Sequence, residues 1–143
     1  MDIGKLLRAK DGGTSVQKFT IYLPDRDKND FKVPNMQTWI QAAINVMMEV
    51  NGGCTQLPVA AGAWRTKEGK VILENTVLIY SFIRDPESFE KRFSEIVEFM
   101  HSFGRVTDQD AVMAEFSGKV GKSYECLSYE IPYKNYLQDG ESA

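Results

Sequence analysis

Two cysteines, one histidine and five prolines are all that this chain of 143 residues carries of the residue types that staple, ligate or kink a small protein. Cys54 and Cys126 are too few for a disulfide framework. Neither stands beside a basic residue or a C-x-x-C partner that would stabilise a thiolate, so both read as structural. With His101 alone, a multi-histidine metal centre is excluded, and no metal is expected. Long apolar runs are missing too. The strongest, Thr76 to Ile83, falls far short of the roughly 18 residues needed to span a bilayer, so no membrane partner is expected. The first residues, Met1 to Arg8, lack the apolar core of a secretory signal, and free thiols without one point to the cytoplasm. Positive charge is not in excess: 17 Lys and Arg stand against 20 Asp and Glu, a net charge of −3. That speaks against binding duplex nucleic acid. No G-x-S-x-G elbow, P-loop or G-x-G-x-x-G is present, and no cofactor is implied.

What is there suits one folded domain. The chain is 43% hydrophobic and 26% charged, and a domain of this length buries roughly 68–70% of its unfolded surface without staples. Residues 1–16, with the Asp11-to-Ser15 turn, read as a flexible lead-in, 17–131 as a single domain and 132–143 as a loose polar tail. Phe19, Ile21 and Leu23 alternate with Lys18, Thr20 and Tyr22, a half-buried strand closed by Pro24. After the charged loop of residues 25–34, Asn35 is a plausible N-cap for a helix running to about Val50 and stopped by Gly52-Gly53. Trp39, Ala43, Val46, Met47 and Val50 form one apolar stripe, and Ile40, Ile44 and Met48 a second beside it. That arc is wider than one sheet can cover. A strand from Cys54 to Thr66, bent at Pro58 and Gly62, turns at Lys67-Glu68-Gly69-Lys70 into Val71 to Ile83. The run Val77 to Ile83 does not alternate, as expected of a strand buried on both faces.

Asp85-Pro86-Glu87 is a strong helix start, and Phe89, Phe93, Ile96, Val97 and Met100 make its buried stripe up to Gly104. Ala111 to Phe116 reads as a strand, residues 117–122 as a turn, and Ser123 to Ile131 as a last strand. The order β-α-β-β-α-β with an added C-terminal strand implies an α+β, ferredoxin-like antiparallel sheet with two helices on one face. The open face then needs a cover, either the C-terminal strand or a second copy in a homo-oligomer, a dimer or higher.

Three clusters could carry chemistry. Trp64 and Arg65 lie on one arm of the hairpin, Glu74 and Asn75 on the other, with Trp64 expected opposite Leu73 or Glu74; together they suit a flat polar ligand. Arg105, Thr107 and Gln109 occupy the connection after the second helix, where Arg105 could hold a phosphate or carboxylate. His101, late on that helix, is a capping residue near a helix C-terminus, which favours the imidazolium, or else a general acid or base. The Asp25-to-Asp30 loop has oxygen ligands on alternate residues like a calcium loop. It lacks the glycine and closing glutamate of that motif, and reads as solvated.

The segments Thr20 to Asp27, Asn51-Gly52-Gly53-Cys54-Thr55, Gly62-Ala63-Trp64, Glu74-Asn75, and Phe99-Met100-His101 through Gly104 to Gln109 resemble a group of small bacterial and phage proteins. The resemblance spans about residues 18–117. It implies the ferredoxin-like dimer fold and singles out these polar residues, but it brings no reaction. The leading expectation is a small-molecule-binding oligomer for a nucleotide-like or other anionic polar ligand, such as a phage module that sequesters a signalling nucleotide. Two alternatives stand beside it: a small hydrolase or isomerase using Glu74 with His101 or Arg105, and a structural or protein-interaction subunit.

Overall fold

The computed structural model describes residues 1–10, 17–120 and 123–132, apart from the side chains of Val120 and most of the last strand. The Asp11-to-Ser15 turn, the tail beyond Pro132 and the side chain of Cys126 lie outside the described residues. Strand β1 (Gln17–Pro24) is the middle of the sheet, pairing antiparallel with β3 (Val71–Ile83) on one side and β4 (Ala111–Val120) on the other. Strand β2 (Thr55–Arg65) lies outside β3, and β5 (Ser123–Pro132) outside β4, giving the order β2-β3-β1-β4-β5. The first four strands have the ferredoxin-like order. The fifth extends the sheet at its edge rather than covering its face.

Phe19, Ile21 and Leu23 face the same way as Val77, Ile79, Ser81 and Ile83, and all are buried against the helices. On the other face Leu78 and Tyr80 are only half-buried, and Phe82 is 46% exposed. The expectation of a strand buried on both sides is therefore corrected: both helices pack on one face, and on the second Thr20, Ile72 and Thr76 are buried while Leu78, Tyr80 and Phe82 are partly or largely exposed.

Helix α2 (Met36–Asn51) buries Ile40, Ala43, Met47 and Val50. Ile40 thus belongs to the core, and of the second stripe only Met48, at 46% exposure, faces out. Helix α3 (Pro86–Val106) covers the rest of the arc, with Trp39 edge-on to Phe99 and Phe103 at centroid distances of 6.2 and 5.4 Å. Asn35 starts α2 in the left-handed region that asparagine tolerates, but its side chain makes no cap; its carbonyl accepts from the Thr38 and Trp39 amides. Gly52, also left-handed, ends the helix.

Asp85 caps α3, its carboxylate accepting the Ser88 N–H at 3.1 Å. Gly104 does not stop this helix. It is buried within the last turn, and the left-handed residue is Asp108 instead (φ 56°). The Gln109 N–H then reaches back to the Gly104 carbonyl and that of Asp108 to Arg105. Strand β4 also runs past the expected stop at Phe116. Gly118 allows this: a Cβ there would lie 2.7 Å from the Gln17 Cα, so only glycine lets β4 stay against β1. A one-turn helix α1 (Ile3–Leu6) precedes the sheet and buries no residue. Among the described residues no helix is long and apolar enough to cross a membrane.

Candidate functional site

The β2–β3 hairpin closes as its sequence implies, with Gly69 at φ 85° and its N–H donated to the Thr66 carbonyl. Its register places Trp64 opposite Ile72, not opposite Leu73 or Glu74 as expected, and Glu74 opposite Gly62. The indole still reaches Glu74 along the diagonal: Trp64 Nε1 donates to Glu74 Oε2 at 3.1 Å. Both side chains stand on the open face, together with Thr76. Gly62 puts nothing above the carboxylate. A Cβ at that position would meet Thr76 Oγ1 at 3.4 Å and Glu74 Cγ at 3.5 Å, ordinary contact distances, so the glycine leaves room for about one methyl group beside the carboxylate.

Burial raises the Glu74 carboxyl above the usual range, and the nearby charge of Asp25 adds to this, against the lowering effect of the bonds from Trp64 and Thr76. Asp25 is fixed there by strand geometry, its N–H donating to the Asn75 carbonyl and its carboxylate accepting the Asn75 N–H, both at 2.9 Å. A second polar pair occupies the same face. The Tyr22 hydroxyl donates to Glu115, and its pKa is pushed up to about 12, first by burial and then by that carboxylate. Lys18 Nζ lies 5.0 Å over the Tyr80 ring.

The remaining residues singled out from the sequence lie elsewhere. Arg65 alternates away from Trp64, and its guanidinium donates to the Gly69 carbonyl at 3.2 Å in the hairpin turn. Asn75 is exposed on the side opposite Glu74. His101 and Arg105 sit on α3, in the helix layer, across the sheet from Glu74. Burial, with the charge of Arg105 behind it, holds the His101 imidazole below its ordinary pKa, which outweighs the helix-end attraction expected for it. Thr107 and Gln109 are buried, and their polar atoms are engaged. Thr107 Oγ1 donates to the Phe103 carbonyl, and Gln109 Nε2 donates to Thr107 Oγ1 and to the Arg26 carbonyl.

One connection was not legible in the charge pattern of residues 25–34. This loop joins the two regions within a single protomer, because β1 lies between β3 and β4 and its outgoing loop meets the ends of both. Lys28 pairs with Asp108 at 3.0 Å, Gln109 holds Arg26, Lys70 pairs with Asp30 at 3.6 Å, and Asp25 holds Asn75. Asp27 is spent inside the loop, accepting the Asn29 and Phe31 amides. Among the described residues no cluster of three His, Cys, Asp or Glu could hold a metal ion. The sequence sets Tyr22 on the outer face of its strand without giving it a role, and Glu115 is not singled out there, although alternation with Ala114 turns it toward the same face.

The fold has solved counterparts. A phage SAM lyase in its apo state is 14% identical, with a TM-score of 0.62 over 84% of this chain and 91% of that one. A phage SAM lyase in complex with S-methyl-5'-thioadenosine is 13% identical, with a TM-score of 0.59 over 84% of this chain and 92% of the other. At these identities the likeness is one of fold. No protein-family model and no curated protein matches the chain.

Proposed function

We propose that the open face of the sheet binds a nucleoside-type small molecule that carries a positive charge, with S-adenosylmethionine as the best-fitting class, and that the protein degrades it. The observation that carries this reading is the Glu74 carboxylate, half-buried under the side-chain-free position of Gly62 and held by the Trp64 indole. A partly desolvated carboxylate gains most from a cationic partner, and an aromatic face beside it adds to the attraction. The sequence suggested an anion drawn by Arg65 and Arg105. The open face instead carries Glu74 and Glu115 with Lys18, while those two arginines sit at the hairpin turn and on α3.

The fold likeness to a phage SAM lyase, one example with S-methyl-5'-thioadenosine bound, supports the same ligand class. That thioether is S-adenosylmethionine without its amino-acid carbon chain, so it keeps the nucleoside and loses the sulfonium charge. In this reading the expected phage module that sequesters a signalling nucleotide becomes one that binds and degrades a nucleoside compound. A homo-oligomer in which a second copy meets the same open face belongs to this reading.

Calorimetry and product analysis test it. The protein should bind S-methyl-5'-thioadenosine and release it from S-adenosylmethionine. Glu74→Gln should weaken binding of the charged sulfonium about tenfold or more, the worth of a lost charge-assisted contact, and change binding of the neutral thioether little. Absence of binding by either compound would refute the proposal.

A further inference from the structure

The described strands hold two glycines, Gly62 and Gly118, and the fold itself requires only the second. Gly118 has φ 145°, and the Gln17 backbone stands where its side chain would be. Gly62 is under neither constraint. Its φ is not positive, and a Cβ there would meet Thr76 Oγ1, Glu74 Cγ and Glu74 Oε1 at 3.4, 3.5 and 3.6 Å, as an ordinary side chain does. Alanine would fit. A glycine inside a strand weakens it, because its backbone has more freedom to lose, and it commonly marks a bulge, a sharp bend or the close approach of a ligand. The irregularity of β2 lies elsewhere, between Leu57 and Ala60, and the pairing from Ala60 to Arg65 runs in unbroken register past Gly62. Approach from outside is the reason left.

The space over Gly62 has defined walls. Glu74 faces it across the ladder, Trp64 follows it along β2, and Thr76 stands on the diagonal. The indole N–H holds Glu74 Oε2, so Oε1 is the oxygen turned toward the gap. The gap takes about one carbon, and a carbon some 3.3–3.6 Å from such an oxygen makes a C–H···O contact. A sulfonium has one substituent of that size. Its methyl hydrogens share the positive charge, which suits a partly desolvated carboxylate. The nucleoside and the amino-acid chain are too large for the gap and must run along the open face.

We propose that Gly62 is a specificity-determining residue, whose missing side chain seats the S-methyl group of the ligand against Glu74 and rejects longer S-alkyl groups. This inference rests on the nucleoside reading above and adds to it the group that is recognised. An alanine Cβ would move the methyl outward by about one bond length, roughly 1.5 Å, and carry the sulfur away from the carboxylate.

Calorimetry with three neutral nucleosides tests it: S-methyl-5'-thioadenosine, its S-ethyl counterpart, and 5'-deoxyadenosine, which lacks the S-methyl group. The unaltered chain should bind the methyl compound at least about tenfold more tightly than the ethyl one, the discrimination a fitted pocket makes over one methylene. Gly62→Ala should weaken binding of the methyl compound about tenfold or more, as overfilling a fitted space does, and leave that of 5'-deoxyadenosine unchanged. Its denaturant midpoint should stay or rise, since alanine suits this backbone and reduces the freedom of the unfolded chain. A fall in that midpoint would show that the fold itself needs the glycine, and would overturn the inference. Equal binding of the ethyl compound, undiminished binding of the methyl compound by Gly62→Ala, or an equal loss of 5'-deoxyadenosine would also overturn the role of Gly62 and leave the nucleoside reading standing. Failure of the unaltered chain to bind any of the three would overturn both.

Discussion

Glu74 was visible in the sequence because it interrupts an apolar strand, yet its environment was not. Gly62 has no signal of its own until the hairpin register sets it opposite the carboxylate, and a shift of one residue turns every side chain to the other face. The raised Glu74 pKa has a definite sign in stability. The folded chain keeps this proton to higher pH than the unfolded chain, so between the two pKa values the folded state binds more proton and stability falls as pH rises. Above the folded pKa the cost is fully present. Glu74→Gln removes it, so the variant's stability relative to the parent should be greatest near neutral pH. Denaturant titrations should show that advantage shrinking as pH falls toward the ordinary glutamate value of about 4.3. Tyr22 gives a second reading of the same face. Its ring-carbon NMR signal should titrate at about 12, and in Glu115→Gln the midpoint should drop only part of the way toward the ordinary tyrosine value, because burial is the larger cause. A return to the ordinary value would assign the whole effect to the carboxylate.

Elements with local signals were read correctly and those set by tertiary contact were not. Asp85-Pro86 announces a helix by itself, since cap and proline act within one turn. Gly104 looks like a terminator in sequence but serves as a small buried contact, and Asp108 adopts the left-handed turn that a glycine would usually take. The Ser117–Lys122 segment likewise reads as a turn because of its glycines, and only the approach of β1 shows that Gly118 is a strand residue. Gly118→Ala should therefore be severe. A methyl at 2.7 Å from the Gln17 Cα, on a backbone at φ 145°, should cost about 2 kcal/mol or more by chemical denaturation. A change within error would mean that β4 can shift away from β1 at no cost.

At the scale of the whole molecule the element order was enough to give the sheet order of the first four strands, because the ferredoxin-like arrangement follows from β-α-β-β-α-β. The final strand was not placed by that rule. It pairs at the edge of β4 and leaves Leu57, Phe82 and Met113 exposed on the open face at 38, 46 and 37%. Such a face suits a second copy, and sedimentation at micromolar concentration should show a dimer or larger species, with Phe82→Asp shifting it toward monomer. A concentration-independent monomer would remove the oligomer from the reading. The strand order has another consequence, in the order of assembly. β1 is the first strand of the sheet to be synthesised and the one both halves depend on, for Gln17 meets Ile83 and Lys18 meets Ser117. The β2–β3 and β4–β5 hairpins close over short distances along the chain, whereas β1 cannot find its second neighbour until β4 has been made. Closing such long loops is the slow part of folding such a sheet. An unpaired central strand, apolar on one face, therefore awaits most of the domain, and it is at this stage that the growing chain most needs protection from association with others.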